Sequence, residues 1–326
     1  MSRQKTIVIA SYTSWYHTLG ISSYLAACHV NPDFSILVAN DFFDRKRCLG
    51  DTPLRYRLGD YALVNSYGEI DRELSRLPEN VDVHVLSTSA FPYNLTSALR
   101  KRHIPYKLVV IEEGIGSYSS AYGLLQAKLR ESQLSVFKKM LFCFFVVFKS
   151  IFKFLVFLRK EKFYWYNFEK GSLVINADVV ESYRSELKLW ADFEKNKNQS
   201  VFDGFENCVL FVSSPICELN LVSKDDFVNS VKEFLPKDKK LYIKPHPIED
   251  VAKYSDLAFE TFDNDLPFEV LMCRVDASTL VYSFSSTCCY TSFLFLGKKI
   301  HRIKGVDVFY DKLSLQQKKI IDFTSF

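Results

Sequence analysis

The sequence lacks several features that would place it in a familiar class. Its net charge is only +4 over 326 residues, whereas a surface that tracks nucleic-acid phosphates is usually far more basic. Its eight cysteines form no C-x-x-C pair, and most lie in apolar runs, where cysteine behaves as a small buried hydrophobe. It has no internal repeat, and no apolar signal core follows Met1. These absences argue against a nucleic-acid partner and against export, and we expect a cytoplasmic protein in a reducing environment.

Aromatic residues, in contrast, are abundant. They make up 15% of the chain and include 29 phenylalanines, many of them between residues 137 and 168. Residues 140–158 are nearly all apolar, a stretch long enough to suggest a membrane span. Lys149 and Lys153 would each lie near the bilayer centre, at a cost of about 2.5–3.5 kcal/mol. These lysines therefore argue against a spanning segment.

The lysines of this segment define one side of a predicted helix at about 138–160. At about 100° per residue, four of them fall within roughly 60° of one another. These are Lys138, Lys149, Lys153 and Lys160. A narrow cationic stripe suits a helix that lies in the membrane interface with its lysines at anionic headgroups. The alternatives are a core helix with its lysine edge in water and a homodimer contact.

Apolar runs of strand length alternate with helical patterns along the chain. The first part contains predicted strands at residues 6–11, 34–38, 81–86 and 107–111. It also contains three predicted helices: one that ends near residue 27, one at residues 72–77 and one at residues 95–103. After about residue 195 the pattern restarts, with strands at 208–213, 240–243 and 279–284 and helices at 224–234, 268–274 and 287–296. This alternation predicts parallel, doubly wound sheets.

Two successive halves of domain size predict an α/β chain of GT-B architecture, in which two Rossmann-like domains face a central cleft. The chain length fits two domains of ordinary size. The polar segment 196–200 lacks periodicity and is the best linker candidate. We therefore expect domains of residues 1–195 and 196–326.

Two adjacent carboxylates follow one of the predicted strands. Glu112 and Glu113 come directly after the strand at 107–111, and Gly114 lets the chain turn sharply there. Ligands of open α/β sheets bind beyond the carboxyl ends of the strands. Because adjacent strand residues point to opposite faces, we expect one of the two glutamates to enter the site and act as a general base for a hydroxyl. An ordinary acidic loop is the alternative.

A lysine and a histidine follow another predicted strand. Lys244 precedes Pro245, and His246 precedes Pro247. Prolines fix φ and bias the preceding residues to extended shapes, so the imidazole has a defined direction. A phosphate leaving group needs its charge stabilised more than it needs a proton, and His246 and Lys244 can supply this help. A surface-loop histidine is the alternative.

A run of hydroxyl residues begins the helix predicted at 287–296. Ser285, Ser286 and Thr287 can offer hydroxyls and free backbone N–H groups, which make a phosphate site at a helix N-terminus. A plain helix cap has the same pattern. Glu269, between the histidine and the serines, can hold two ribose hydroxyls. The D-x-D pattern of residues 263–265 matches metal-dependent transferases, but we interpret it as a polar loop.

Three short motifs together resemble the signature of bacterial sialyltransferases. They are the acidic triplet that ends at Gly114, the His246-Pro247 pair and the serine pair. The segment 208–286 is most similar to lipooligosaccharide sialyltransferases and bacterial polysialyltransferases. The resemblance implies a GT-B fold, a CMP-sialic acid donor, inversion at the anomeric carbon, and no metal or other cofactor.

The resemblance also implies roles for individual residues. Glu113 would be the general base, and His246 would contact the CMP phosphate as acid or charge stabiliser. Several relatives carry aspartate in the acidic triplet, and the longer glutamate arm leaves Glu112 as an alternative base. The implied donor-binding residues are Lys244, Pro247, Glu269, Ser285, Ser286 and Thr287.

The sequence therefore predicts a transferase that adds sialic acid to a glycan acceptor of a bacterial surface polysaccharide, in lipooligosaccharide, O-antigen or capsule. Residues 1–195 would bind the acceptor and residues 196–326 the nucleotide-sugar donor. A lipid-linked acceptor fits the cationic apolar helix, so we expect a protein peripheral on the inner face of the cell membrane. The alternatives are a transferase for Kdo or another nucleotide sugar, an epimerase of the same fold, and a non-catalytic polysaccharide assembly protein.

Overall fold

The structure is a computed structural model of the chain, and it describes residues 4–12, 15–39, 53–78, 80–89, 92–112, 114, 117, 144, 148, 160–169, 172–197, 207–218, 220–246, 249–255, 257, 259–261, 267–273, 275–276, 278–305 and 307–326. The chain divides into two compact units. The first comprises Met1–Glu113 and Leu125–Trp190, and the second comprises Gly114–Leu124 and Ala191–Phe326. Each unit has a parallel β-sheet of its own.

The first unit contains a six-stranded sheet in which every neighbouring pair is parallel. Its strands are β1 (Lys5–Tyr12), β2 (Phe34–Ala39), β3 (Asp60–Val64), β4 (Val81–Ser87), β5 (Lys107–Ile111) and β6 (Lys160–Phe163). Their order across the sheet is β3-β2-β1-β4-β5-β6. The order reverses between β1 and β4, which is the topological switch point of a doubly wound sheet. Four successive residues of β1, Ile7 to Ala10, are buried, as expected for a strand covered on both faces.

Helices and one hairpin complete the described part of the first unit. The helices are α1 (Trp15–Ala27), α2 (Tyr67–Leu74), α3 (Tyr93–Lys101) and α4 (Ala177–Lys197), with a 3-10 turn at Pro53–Arg57. The residues of α4 after Trp190 belong to the second unit. The strands β7 (Tyr166–Glu169) and β8 (Ser172–Ile175) form an antiparallel hairpin. Because α4 runs to Lys197, the first two residues of the predicted linker are helical.

A buried carboxylate joins three elements of the first unit. Glu186 of α4 is 2% exposed and forms an ion pair with Arg57. Its Oε2 accepts a hydrogen bond from Arg57 Nε at 3.0 Å and another from the hydroxyl of Ser22 on α1. A buried charge is tolerated when it is paired and hydrogen-bonded in this way.

The second unit contains a five-stranded parallel sheet. Its strands are β9 (Val209–Val212), β10 (Leu241–Lys244), β11 (Phe259–Thr261), β12 (Leu280–Ser283) and β13 (His301–Arg302). Their order is β11-β10-β9-β12-β13, so the switch point lies between β9 and β12. The helices are α5 (Lys224–Phe234), α6 (Phe268–Met272), α7 (Thr287–Leu296), α8 (Val308–Lys312) and α9 (Leu315–Thr324), with a 3-10 turn at Val251–Tyr254.

Aromatic rings fill the core of the second unit. Phe211 of β9 contacts the rings of Phe227, Tyr254 and Phe284, with centroids 5.9–6.5 Å apart. All four side chains are fully buried. Sequence-local caps begin its helices: the Ser223 hydroxyl accepts from the N–H of Asp226 at α5, and Ser314 and Gln317 form a capping box at α9.

Most of the helix predicted at about 138–160 lies outside the described residues. Phe144 and Phe148 are helical, and their side chains are 75% and 67% exposed. Lys160 does not end this helix: it is the first residue of β6, where it pairs with Leu108 of β5. Among the helices that the structure describes, none is both long enough and apolar enough to cross a membrane.

The predicted alternation of strands and helices is confirmed, with shifted ends. The largest shift is in the helix predicted at 72–77. In the structure this helix spans Tyr67–Leu74, and Ser75 is its C-cap. The helices 224–234 and 287–296 have the predicted bounds. The chain is a mixed α/β protein with parallel sheets.

Replacing the buried carboxylate should destabilise the first unit. We expect Glu186→Ala to lower its free energy of unfolding by about 3 kcal/mol, because Arg57 and Ser22 lose their buried partner. Chemical denaturation followed by tryptophan fluorescence measures this directly, since all three tryptophans precede Ala191.

The matched control is Glu181→Gln on the same helix. Glu181 is 68% exposed and pairs with Arg184, and such pairs contribute about 0.5 kcal/mol or less. Equal losses for the two variants would contradict a structural role for Glu186.

Candidate active site

The loops that follow the strands of the second unit lie at one edge of its sheet. Because β9, β10 and β12 run parallel, Ser213, His246 and Ser285 all leave the sheet at its carboxyl edge. The hydroxyl of Ser283, the last residue of β12, donates to the carbonyl of Val212 on β9 at 2.8 Å. This bond closes the sheet at the switch point, where ligands of such folds bind.

His246 is held partly inside this edge. Burial lowers the pKa of His246 below its ordinary value, although the carboxylates of Glu249 and Glu218 oppose that shift. The imidazole is therefore neutral at pH 7, and it can donate one N–H to a phosphate oxygen. The backbone N–H of His246 donates to Glu249 Oε2 at 2.5 Å. The predicted donor-binding residue Pro247 lies outside the described residues.

The serine turn after β12 uses its two serines differently. The backbone N–H of Ser285 donates to Asp307 Oδ2 at 3.1 Å, and the Ser285 hydroxyl donates to the same oxygen. Burial raises the pKa of Asp307, while the hydrogen bonds from Ser285 oppose this shift. The hydroxyl of Ser285 thus donates its proton to Asp307, and this bond fixes the turn. Ser286 is partly exposed and makes no cap bond to α7.

The N-terminus of α7 favours negative charge. The helix begins at Thr287 after the extended residue Ser286, and the first N–H groups of a helix have no partner within it. Burial acts to raise the pKa of the Cys288 thiol, but its hydrogen bonds with Cys289, Ser283 and Ser286 outweigh it and lower that pKa overall. The first N–H groups of a helix can stabilise a phosphate oxygen.

The predicted ribose ligand Glu269 lies on α6 and contacts α7. It is 8% exposed, and its Oε1 accepts a hydrogen bond from the Thr291 hydroxyl at 3.0 Å. Burial raises the pKa of Glu269, while the hydrogen bond from Thr291 and the charge of Lys244 oppose the shift. Lys244 therefore lies close enough to interact with Glu269, and both predicted donor-binding residues belong to the same part of the second unit.

Of the two carboxylates after β5, the structure describes Glu112. Glu112 is fully buried, and its Oε2 accepts the backbone N–H of Trp165 at 2.8 Å. Burial and then the Glu112 charge raise the pKa of Tyr166 and Tyr183. Glu112 therefore anchors the strand exit inside the first unit. Glu113 lies outside the described residues, and its role as the general base stays a prediction.

The backbone conformation and the space at position 114 both favour glycine. Its φ is +110°, and a Cβ added there would lie 2.7 Å from Thr287 Oγ1 and 3.2 Å from the Tyr290 hydroxyl. Both neighbours belong to α7 in the same compact unit. The predicted turn glycine is therefore also a close-packing residue against the helix of the serine motif.

Several residues that shape this edge carried no recognisable signal in the sequence. Asp307, which holds Ser285, is 22 positions away from it. Thr291 and Glu249 resemble ordinary helix and loop residues. Residues 263–265, the D-x-D pattern, lie outside the described residues. Among the described His, Cys, Asp and Glu side chains, no group of three could hold a metal ion.

Solved structures with the same architecture define the class of fold. S. aureus MnaA in complex with UDP aligns with a TM-score of 0.51 and 11% identity, covering 98% of this chain and 91% of that one. UDP-GlcNAc 2-epimerase from Neisseria meningitidis, bound to UDP-GlcNAc, aligns with a TM-score of 0.51 and 13% identity, covering 97% and 90%. At such identities the likeness shows the fold alone, and the predicted GT-B class is confirmed.

Family membership follows from the sequence itself. The family model of alpha-2,8-polysialyltransferase (POLYST) matches residues 54–304, which contain all the predicted catalytic and donor-binding residues. The chain therefore belongs to the alpha-2,8-polysialyltransferase family and is a glycosyltransferase. The predicted sialyltransferase family is confirmed. No curated protein matches the sequence significantly.

Substitution of Gly114 tests the packing at the serine motif. We expect Gly114→Ala to lower the free energy of unfolding of the second unit by about 2–4 kcal/mol, because backbone strain adds to a steric clash. The matched control is Gly297→Ala. Gly297 also has a positive φ, +68°, but has open space around the added Cβ, so its cost should be about 1–2 kcal/mol.

Calorimetric unfolding would measure both variants, since the second unit contains no tryptophan. A Gly114→Ala protein as stable as the Gly297→Ala protein would contradict the close approach to Thr287.

Proposed function

We propose that the protein transfers sialic acid from CMP-sialic acid, with inversion, to a glycan acceptor of a bacterial surface polysaccharide. The match to the alpha-2,8-polysialyltransferase family over residues 54–304 carries this proposal. The carboxyl edge of the second unit supports it, because His246 follows β10 and Ser286 precedes α7 at the same edge of the sheet, and a helix N-terminus suits a phosphate.

The proposed reaction forms one bond and breaks one. The acceptor oxygen attacks the anomeric carbon of sialic acid, and the bond from that carbon to the CMP phosphate oxygen breaks. The acceptor proton passes to Glu113, and the bonding electrons leave with CMP. General base catalysis by a carboxylate compensates for the weak nucleophilicity of a neutral sugar hydroxyl.

The phosphate of departing CMP is proposed to bind His246 and the start of α7. His246 is neutral in the free protein, so it would donate a hydrogen bond from its imidazole and gain a proton as negative charge develops beside it. Ser286 and Thr287 would add a hydroxyl and N–H groups at the helix N-terminus. Ser285 would act indirectly through its bonds to Asp307.

The remaining donor contacts are proposed to come from Lys244 and Glu269. Lys244 would neutralise phosphate charge, and Glu269 would accept hydrogen bonds from the ribose hydroxyls. We propose that no metal is required, because CMP leaves as a phosphate monoester that these groups can stabilise. Undiminished transfer in the presence of a chelator would be the expected result.

The acceptor is proposed to be lipid-linked and reached at the cytoplasmic face of the inner membrane. The apolar, lysine-striped sequence of residues 140–158 motivates this location. The exposed side chains of Phe144 and Phe148 support it, since residues four apart share one side of a helix. Lipooligosaccharide, O-antigen and capsule all provide such acceptors.

A second candidate is an epimerase or transferase that uses a UDP-sugar, because both fold relatives above are UDP-bound or bind a UDP-sugar. Calorimetric titration with CMP, UDP and their sugar conjugates separates the two candidates. Tight binding of CMP with weak binding of UDP supports the sialyltransferase, and the reverse order favours the alternative.

Replacing the histidine should weaken nucleotide binding in a pH-dependent way. We expect His246→Ala to raise the Kd for CMP by about 10–100-fold, since a hydrogen bond to a charged group contributes about 1.5–3 kcal/mol. The lowered pKa means that His246 becomes charged only at acidic pH. The ratio of Kd between variant and wild type should therefore grow as the pH falls from about 8 to about 6. A ratio that is constant or shrinks would remove His246 from the phosphate site.

The two glutamates give a matched pair for the base. We expect Glu113→Gln to lower kcat by about 10²–10⁴-fold with CMP affinity unchanged. Glu112→Gln should instead lower the unfolding midpoint, because Glu112 is buried against Trp165. Release of CMP at the wild-type rate by Glu113→Gln would overturn the assignment of the base.

A further inference from the structure

A buried carboxylate lies directly behind the histidine. Glu249 comes three residues after His246, and its side chain is 0% exposed. Its Oε2 accepts the backbone N–H of His246 at 2.5 Å. Its Oε1 accepts hydrogen bonds from the hydroxyls of Ser213, at 2.7 Å, and Tyr254, at 3.0 Å. Its own N–H donates to the carbonyl of His246 at 2.9 Å.

A buried lysine balances this carboxylate. Lys253 is 4% exposed, and its ammonium donates to Glu249 Oε1. The same ammonium lies 3.1 Å from both carboxylate oxygens of Glu218 and 4.5 Å from the centroid of the Phe227 ring. Two carboxylates and one ammonium give the cluster a formal charge of −1. Burial of such charges is tolerated when each of them is paired.

The cluster connects two strand exits of the sheet. Ser213 follows β9, His246 follows β10, and Tyr254 ends the 3-10 turn Val251–Tyr254. The N–H of Ser213 also donates to the Lys244 carbonyl at 3.0 Å, which continues the pairing of the two strands. Glu249 is the residue that contacts all three of these segments. It therefore sets the position of the His246 backbone relative to the carboxyl edge.

We propose that Glu249 is a positioning residue for the transfer reaction, and that it holds the His246 loop at the carboxyl edge of β9 and β10. The inference rests on the proposed function in one respect only: it takes a phosphate as the group that His246 contacts. It assigns to Glu249 an effect on donor binding and turnover without contact with the donor.

The charge of the cluster has a second consequence for His246. Burial lowers the pKa of the imidazole, the carboxylates of Glu249 and Glu218 raise it, and Lys253 lowers it. Loss of the Glu249 charge should therefore move the titration of His246 to lower pH. A Glu249 side chain that lay far from the His246 imidazole would leave that titration unchanged.

The experiment compares Glu249→Gln with Glu218→Gln. Both variants remove one carboxylate from Lys253 and leave the other in place, but only Glu249 bonds the His246 backbone. We expect similar losses of thermal stability. Glu249→Gln should raise the Kd for CMP by about tenfold or more and lower kcat, whereas Glu218→Gln should change that Kd by about threefold or less. Equal effects of the two variants on CMP binding would overturn the inference.

The side-chain NMR titration of His246 gives a readout that needs no donor. The signal is assigned by its absence in His246→Ala. We expect a lower titration midpoint in Glu249→Gln than in wild type, with a smaller displacement in Glu218→Gln. A wild-type midpoint in Glu249→Gln would overturn the inference even if CMP binds, and failure of CMP to bind the wild type would refute only the proposed function.

Glu249→Asp covers the case in which Glu249→Gln does not fold. The shorter side chain keeps the charge for Lys253 but cannot reach His246 N–H and Ser213 together. We expect it to weaken CMP binding while leaving the His246 titration close to wild type. Wild-type CMP binding in Glu249→Asp would contradict positioning by Glu249.

Discussion

Parallel pairing of β9 with β10 on one side and β12 on the other is the constraint on which the carboxyl edge of the second sheet depends. It sends three loops of unrelated sequence to the same edge, where the ladder of the sheet ends. Carboxylate side chains hold backbone N–H groups there: Glu249 accepts from the loop after β10, and Asp307 accepts from the turn after β12. Buried carboxylates therefore fix the positions of these two loops at the edge.

The order of elements could be predicted from the sequence because its signals are local. Short apolar runs marked the strands, and Ser286 before an apolar run marked the start of α7 where the structure has it. The two-residue strand β13 and the polar edge strand β6 have no such signal. Their pairing is decided by neighbouring strands distant in sequence. For the same reason Lys160 could be mistaken for the end of a helix.

The candidate site shows a similar limit. The placement of the candidate residues at strand ends could be predicted from the sequence. Sheet topology alone then determines which strand ends lie at the same edge. The direction in which each polar side chain points could not, because it depends on partners far along the chain. Glu112 is buried against a backbone N–H 53 positions away, and Ser285 is committed to Asp307. Glu112 and Ser285 thus have a structural role that the motifs alone did not indicate.

The lowered pKa of His246 has a consequence for the thermodynamics of the donor cycle. Under the proposed function, an imidazole that gains a proton beside the phosphate would make nucleotide binding a proton-uptake event, and departure of CMP would return that proton to solvent. The enthalpy of nucleotide association would then depend on the ionisation heat of the buffer. Emptying of the site would be favoured by alkaline conditions and resisted by acidic ones.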